Sequence, residues 1–194
     1  NRMHFNELLF NGLKTRAKAA SWHFFLIFNP RKLILTSKKI LEEIDKKNIL
    51  IEPFHEDCLG MDSYDLHLGR YLVIYKNRVL DAREHNKTEE IRLDRPGFEL
   101  HPGTVYLSVS EEYTETKNHV PFLVSNTSVA RLGINVQAAS GSIGHSNTWT
   151  IQLSVIQPVR VYQGMPIAKL LFVNTEGMID ANLLGNKSSK YSPR

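Results

Sequence analysis

Several features that would assign this chain to a common class of protein are scarce or absent. It contains one cysteine, Cys58, so an internal disulfide is excluded, and such usage is typical of a reducing compartment. Its apolar runs are short: the run at residues 24–28 has five residues, whereas a membrane-spanning helix needs roughly 18. Internal repeats and low-complexity tracts are also missing. We therefore expect a cytoplasmic protein that does not cross a membrane.

Positive charge is concentrated at the start of the chain. The formal net charge is +4, but residues 1–32 contain six Lys or Arg and a single acid, Glu7, so residues 33–194 carry a charge of −1. We expect residues 1–32 to form a basic N-terminal extension, an arm or helix on the domain, and residues 33–194 to form the domain. A targeting segment is the less favoured alternative. Because the charges are few and scattered, specific binding of nucleic acid is not expected.

The domain begins with the pattern of a short amphipathic helix. A hydroxyl at Thr36 or Ser37 can cap its first turn, and the pattern ends near Asn48, before a predicted strand at residues 49–54. The apolar residues expected to face the core are Ile40, Leu41 and Ile44.

Short strands separated by turns fill most of the remaining domain. Residues 64–68 alternate between apolar and polar side chains, residues 71–75 form an apolar run, and residues 97–110 predict two strands around a Pro-Gly turn. Residues 81–95 are strongly charged and predict a solvated loop, and the polar end, residues 185–194, predicts a disordered tail. The fold class is therefore mainly β, a distorted barrel or sandwich with a short N-terminal helix.

The stretch S-N-T-S-V-A-R-L-G, residues 125–133, places four small polar residues before a short helix. A side-chain oxygen among them can satisfy a free N–H of the first turn. Free N–H groups, hydroxyls and the guanidinium of Arg131 one turn later can together bind an anion. An ordinary capped turn is the alternative interpretation.

The stretch W-T-I-Q-L-S-V, residues 149–155, alternates strictly and predicts a strand. Trp149, Ile151, Leu153 and Val155 share one face, which leaves Gln152 on the opposite face. A solvated strand residue is the ordinary role of such a glutamine.

Taken in order, these stretches resemble the dCTP deaminase family, relatives of the trimeric dUTPases. The matching runs are S-x-S-V-A-R-L-G, x-A-x-G-x-I, W-T-x-x-L and P-V-x-V-Y-x-G-M-x-I, and the run S-x-D-L-x-L-G, residues 63–69, also agrees with the family pattern. The resemblance implies a β-clip fold of the dUTPase type. It also implies hydrolytic deamination of dCTP to dUTP by a homotrimer whose sites lie between subunits.

The resemblance also implies roles for particular residues. The triphosphate, together with Mg²⁺ bound through it, would lie against the turn that contains Arg131, and backbone near Ser140 would help to hold the attacking water. The family's tail, which closes over the triphosphate, ends in G-K-Y-x-x-Q, and its final Gln has no counterpart here. The implied substrate contacts are Asn126, Thr127, Ser128, Arg131, Ile143, Lys190 and Tyr191.

One departure from the family pattern governs the expected activity. Gln152 stands where the family has its catalytic Glu. Deamination adds water at C4 of cytosine, and a positioned carboxylate takes the proton of that water and passes it on. An amide has no useful basicity, although its oxygen and NH₂ can still bond the edge of the base.

Other departures accompany Gln152. Asn126 stands where the family often has Arg or Lys, Ala139 replaces a Thr, Gly144 occupies the position of a sugar-contacting Asp, and Lys169 replaces a Gln. His145 is a minor candidate for a substitute base. Zinc is not expected, because H-x-E and P-C-x-x-C, the motifs of zinc-dependent deaminases, do not occur and His67 has no second ligand at suitable spacing.

Three interpretations follow. The chain is a dCTP deaminase whose Glu has been replaced deliberately to trap a nucleotide, or it is a naturally silent relative that binds or senses nucleotides. A dUTPase is less favoured, because the Asp-containing turn and the Gly-rich tail of that family are absent.

Overall fold

The computed structural model of the protein describes residues 33–177. The extension at residues 1–32, the tail at residues 185–194 and, with it, Lys190 and Tyr191 lie outside the described residues. In chain order the elements are α1 (Ser37–Asp45), β1 (Ile49–Glu52), a 3₁₀ turn (Glu56–Cys58), β2 (Tyr64–His67), β3 (Tyr71–Tyr75), β4 (Thr88–Arg92), β5 (Phe98–Leu100), β6 (Tyr106–Thr116), β7 (His119–Ser125), α2 (Thr127–Ala130), β8 (Ile134–Val136), β9 (Ala139–Ser140), β10 (Ser146–Val155), β11 (Val159–Val161) and β12 (Pro166–Asn174).

The strands form three antiparallel sheets. The largest has the order β4-β3-β6-β10-β8, and β1 pairs with the second half of β6. The second sheet has the order β2-β12-β7-β9, and β5 and β11 form a two-stranded ribbon. The prediction of a mainly-β fold with one leading helix is confirmed, but the sheets of residues 33–177 do not close into a barrel. No helix in this part of the chain is long and apolar enough to cross a membrane.

The core contains the residues that the alternating patterns predicted. On β10, Trp149, Ile151, Leu153 and Val155 are buried, whereas Gln152 is exposed. Tyr64, Leu66 and Leu68 are completely buried in the same way. The two-residue period of these stretches therefore identified the inward face of each strand correctly.

Two local predictions were wrong in part. Leu41 is exposed, and its predicted place on the buried face of α1 is taken by Glu43. Residues 88–92 are not loop but the edge strand β4, whose pairing with β3 outweighs their charged composition. Charged side chains are a common feature of edge strands, because they discourage pairing with other chains. The two strands predicted within residues 97–110 form as β5 and the start of β6, and β5 pairs with β11.

Glu43 is buried because four side chains satisfy its carboxylate. Lys39 Nζ lies 2.8 Å from Oε1, and Asn48 Nδ2 donates to Oε2 at 2.8 Å. His119 Nε2, from β7, lies 3.4 Å from Oε2, and Lys46 Nζ lies 3.3 Å from Oε1. The hydrogen bond from Lys39, followed by that from Asn48, lowers the pKa of Glu43 to about 2. The cluster therefore joins α1 to β7 through a charged group.

Glu43→Gln should lower the free energy of unfolding near neutral pH by about 1–3 kcal/mol, because charge-assisted bonds to a buried group are lost. The pKa of Glu43 is lower in the folded state, so its contribution is present above about pH 4.5 and is lost as the pH falls towards about 2. Urea unfolding at several pH values should show the two proteins converging in acid.

Glu42→Gln is the matched control, since Glu42 also pairs with Lys39 but is largely exposed. Its effect should be much smaller, because solvent screens an ion pair between exposed side chains. Equal effects of the two substitutions would contradict a special role for Glu43.

Candidate functional site

The polar turn at residues 125–133 folds as a capped helix start. Asn126 is buried, and its Oδ1 accepts a hydrogen bond from the backbone N–H of Ser128 at 3.0 Å. Thr127, Ser128 and Arg131 are exposed. Because the amide of Asn126 is used as the cap, the groups presented to solvent are two hydroxyls and one guanidinium, a set suited to an anion.

Gly133 lets the chain leave this turn and enter β8. Its φ is +85°, and a Cβ atom there would lie 2.7 Å from Cγ1 of Ile156. Only glycine fits both the conformation and the space. The neighbouring bonds, from Ile156 N–H to the carbonyl of Gly133 and from Gln157 Nε2 to the carbonyl of Leu132, attach the turn to the end of β10.

Gln152 lies on the outward face of β10, in the middle of the six-stranded sheet. It is opposite Leu107 of β6, and its carbonyl oxygen accepts a hydrogen bond from the backbone N–H of Gln137 at 3.0 Å. Its side chain is exposed. The backbone of Gln152 is thus held by strands on both sides, and its exposed carboxamide can meet a group approaching from outside the sheet.

Ser140 lies at the point where the chain passes between the two larger sheets. Residues 134–136 pair with β10, whereas Ser140 pairs with Phe122 of β7. Ser140 follows Gln137 by three residues, so its Cα lies within about 11 Å of the residue that bonds to Gln152. Both predicted catalytic positions are exposed, and Ser140 is three residues from the hydrogen-bond partner of Gln152.

The polar turn and Gln152 lie at opposite ends of β8. Ile134 pairs with Val155, next to the turn, and Val136 pairs with Leu153, next to Gln152. A strand rises about 3.3 Å per residue, so the step from Ile134 to Gln137 alone separates them by about 10 Å. Arg131 precedes this step by a further three residues. Within a single chain, Gln152 therefore lies at one end of β8 and the polar turn at the other.

His145 is not a solvated loop residue. Its ring stacks on Trp149 with centroids 4.4 Å apart, and its Nε2 is buried without a hydrogen-bond partner among residues 33–177. Burial lowers the pKa of His145. Because Trp149 points to the buried face of β10 and Gln152 to the other, His145 lies on the wrong face to replace a base at position 152. Ile143, in the same loop, is half-buried.

A second polar cleft, of about 280 Å³, contains residues that the sequence analysis did not connect. Cys58, His67 and Glu112 meet there, although they come from the 3₁₀ turn, β2 and β6. No group of three potential metal ligands forms within the described range. Only the tertiary structure brings these residues together, since 45 residues separate His67 from Glu112.

Together, the three antiparallel sheets, the capped polar turn and the exposed amide on β10 define a mainly-β protein with a polar site spread along β8. A family model described as dCTP deaminase-like matches residues 34–175. The chain therefore belongs to the dCTP deaminase-like family, as the sequence motifs indicated.

Relatives and one solved structure agree with this assignment. The chain is 39% identical over 147 residues to the "dCTP deaminase, dUMP-forming" of Hathewaya histolytica, covering 75% of this chain and 85% of the relative. It is 36% identical over 161 residues to the protein of the same name from Leptospira biflexa serovar Patoc, covering 82% and 90%. The crystal structure of 2'-deoxycytidine 5'-triphosphate deaminase from Agrobacterium tumefaciens shares the fold, with a TM-score of 0.61, 17% identity, and coverage of 77% of this chain and 51% of that one.

Proposed function

We propose that this protein binds dCTP in the manner of a dCTP deaminase but does not deaminate it, because Gln152 occupies the position of the general base. The observation that supports this most directly is the placement of Gln152. It lies exposed on a central strand, beside the bend that carries Ser140. A glutamate there could meet a water held at the bend, whereas the amide can only donate and accept hydrogen bonds.

The phosphates of dCTP would bind at the polar turn. Thr127 and Ser128 supply hydroxyls and Arg131 supplies the charge, while the buried cap of Asn126 keeps the turn in shape. Mg²⁺ would arrive with the triphosphate and be held by phosphate oxygens, which are the ligands it prefers. Ile143, Lys190 and Tyr191 complete the proposed substrate contacts.

The proposed site is shared between chains of a homotrimer. Within one chain the polar turn and Gln152 lie at opposite ends of β8. The trimer implied by the family resemblance would place the turn of a second copy beside Gln152. Apolar side chains beside Gln152 on the outward face of the sheet offer a surface for such packing: Val109 is 46% exposed, and Leu107 is partly exposed.

Light scattering at micromolar chain concentration should therefore give the mass of three chains. Val109→Glu should shift the protein towards monomers, because it places a charge on the face proposed to be buried. Val79→Glu, at a position 81% exposed on a loop, is the matched control and should leave the assembly unchanged. A parent protein that is monomeric under these conditions would contradict the shared site.

The reaction that Gln152 prevents can be stated from the family's chemistry. Water adds to C4 of cytosine, its proton passes to the carboxylate, and the amino group leaves as ammonia after protonation. The curated relatives are named dUMP-forming, so we propose dUMP and pyrophosphate, rather than the dUTP expected at first, as the products of an active form. A second water then cleaves the bond between the α and β phosphates.

This proposal is compatible with two origins of Gln152. If only the glutamate has been replaced, the rest of the site is intact. If the lineage is naturally silent, the departures at Asn126, Ala139 and Gly144 also matter, and the protein binds or senses nucleotides. The dUTPase alternative has no comparable support.

Arg131→Ala should weaken dCTP binding by about 10- to 150-fold, because a charge-assisted contact worth about 1.5–3 kcal/mol is removed. Calorimetry with dCTP and with deoxycytidine measures the phosphate contribution directly, and deoxycytidine should bind far more weakly. Arg160→Ala is the control, since Arg160 is exposed and pairs only loosely with Glu99 at 3.4 Å. Equal affinity for the nucleotide and the nucleoside would contradict the assignment of the turn.

Gln152→Glu should raise the release of ammonia from dCTP by about 10²–10⁴-fold over the parent, because it supplies a general base. An enzyme-coupled ammonia assay and chromatography of the nucleotides follow the reaction. Gln137→Glu adds the same charge on the neighbouring bend and should not activate the protein.

The outcomes separate the two origins. Activity in Gln152→Glu indicates an otherwise intact site, whereas tight dCTP binding without activity indicates a naturally silent lineage. Rapid deamination by the parent protein would show that the mechanism proposed for Gln152 is wrong.

A further inference from the structure

The cleft between the 3₁₀ turn, β2 and β6 contains a thiol, an imidazole and a carboxylate, and the imidazole contacts both of the others. Cys58 Sγ lies 3.8 Å from His67 Nε2 and also 3.8 Å from Asp57 Oδ1. His67 Nδ1 forms a hydrogen bond with Glu112. The side chain of Glu112 is only 1% exposed, whereas His67 is 16% exposed and Cys58 is half-buried. The cleft, of about 280 Å³, is also lined by Pro53, His55 and Asp57.

Glu112 fixes both the position and the tautomer of His67. One oxygen of its carboxylate accepts the backbone N–H of His67 at 2.9 Å, and the other meets Nδ1 of the ring. Because a carboxylate accepts hydrogen bonds, the proton of a neutral imidazole resides on Nδ1. The lone pair of Nε2 then faces the sulfur of Cys58.

A thiol, an imidazole and a carboxylate in this order have the geometry of an activated nucleophile. The diagnostic features are a base within reach of the nucleophile and a third group that orients the base. Neither Cys58 nor His67 lies among the residues proposed to bind nucleotide, so the arrangement is independent of the proposed function.

We propose that Cys58, His67 and Glu112 form a second reactive site, at which Cys58 is modified covalently by small uncharged carbon electrophiles. The sulfur forms a bond to carbon as the leaving group departs with its electron pair. The proton of the thiol passes to His67 Nε2 and then to solvent. Glu112 stabilises the transient imidazolium and does not itself change its protonation.

The charge of the cleft determines which reagents react. Burial, followed by the carboxylate of Asp57, raises the pKa of the Cys58 thiol. Near neutral pH the thiol therefore keeps its proton unless His67 removes it, and anionic reagents are repelled. The ionisable groups around the sulfur are His55, Asp57, Tyr64, Asp65, His67, Glu111 and Glu112, with Lys169 paired to Asp65 at 3.9 Å.

Alkylation by iodoacetamide, followed by intact mass, tests the site in the full-length protein. The chain has no other cysteine, so subtracting the alkylation of Cys58→Ser gives the alkylation of Cys58 itself. At about pH 7, His67→Gln should react about tenfold more slowly than the parent. At a pH high enough to ionise the thiol without His67, the two proteins should converge. Asp57→Asn removes the carboxylate nearest to the thiol and should react faster than the parent.

Two results would overturn the proposal. The first is equal rates for the parent and His67→Gln at about pH 7, and the second is an equal deficit at both pH values, which would indicate only altered packing. If His67→Gln does not fold, the pH profile of the parent decides: reactivity that persists below the ionisation of the thiol supports assistance by His67, and a simple single-group rise excludes it. Iodoacetate should be disfavoured relative to iodoacetamide more strongly than for free N-acetylcysteine, and an unchanged ratio would contradict selection by charge.

Discussion

The pairing of β6 with β10 is the interaction on which the rest of the structure depends. β6 has 11 residues and also pairs with β1 and β3, whereas β10 has 10 and also pairs with β8. Trp149 fixes the register with two hydrogen bonds, from its backbone N–H to Ser110 Oγ at 2.9 Å and from its indole N–H to Thr114 Oγ1 at 2.8 Å. A slip of one residue would bury Gln152 and expose Ile151, so the position of the proposed site follows from this register.

The sequence predicted best where a single physical rule controls the outcome. The alternation along β10 required one face to be buried, and small polar residues before Val129 required a cap, which Asn126 provides. Prediction failed where residues far apart in the sequence determine whether a side chain is buried. Glu43 is buried because His119, 76 residues away, and nearby Lys39 satisfy its carboxylate, and no pattern within α1 indicates this.

The proposed nucleotide site and the cleft around Cys58 also differ in how far the sequence predicts them. Gln152 and the turn at Arg131 belong to motifs that follow one another in the same order as in the family. The resemblance could therefore single them out from the sequence. Cys58, His67 and Glu112 occupy unrelated stretches, and each alone has an ordinary interpretation as a strand or turn residue. Their meeting depends on β2 lying next to β6, which local periodicity does not predict.

Sharing of the proposed site between chains would make the site depend on the concentration of the protein. If the turn of one chain and Gln152 of another must meet, the complete site exists only in the assembled protein, and nucleotide and neighbouring chain bind in a linked manner. Nucleotide would then stabilise the assembly, and dilution of the protein would weaken its apparent affinity for nucleotide. Such a protein responds to its own abundance as well as to that of its ligand.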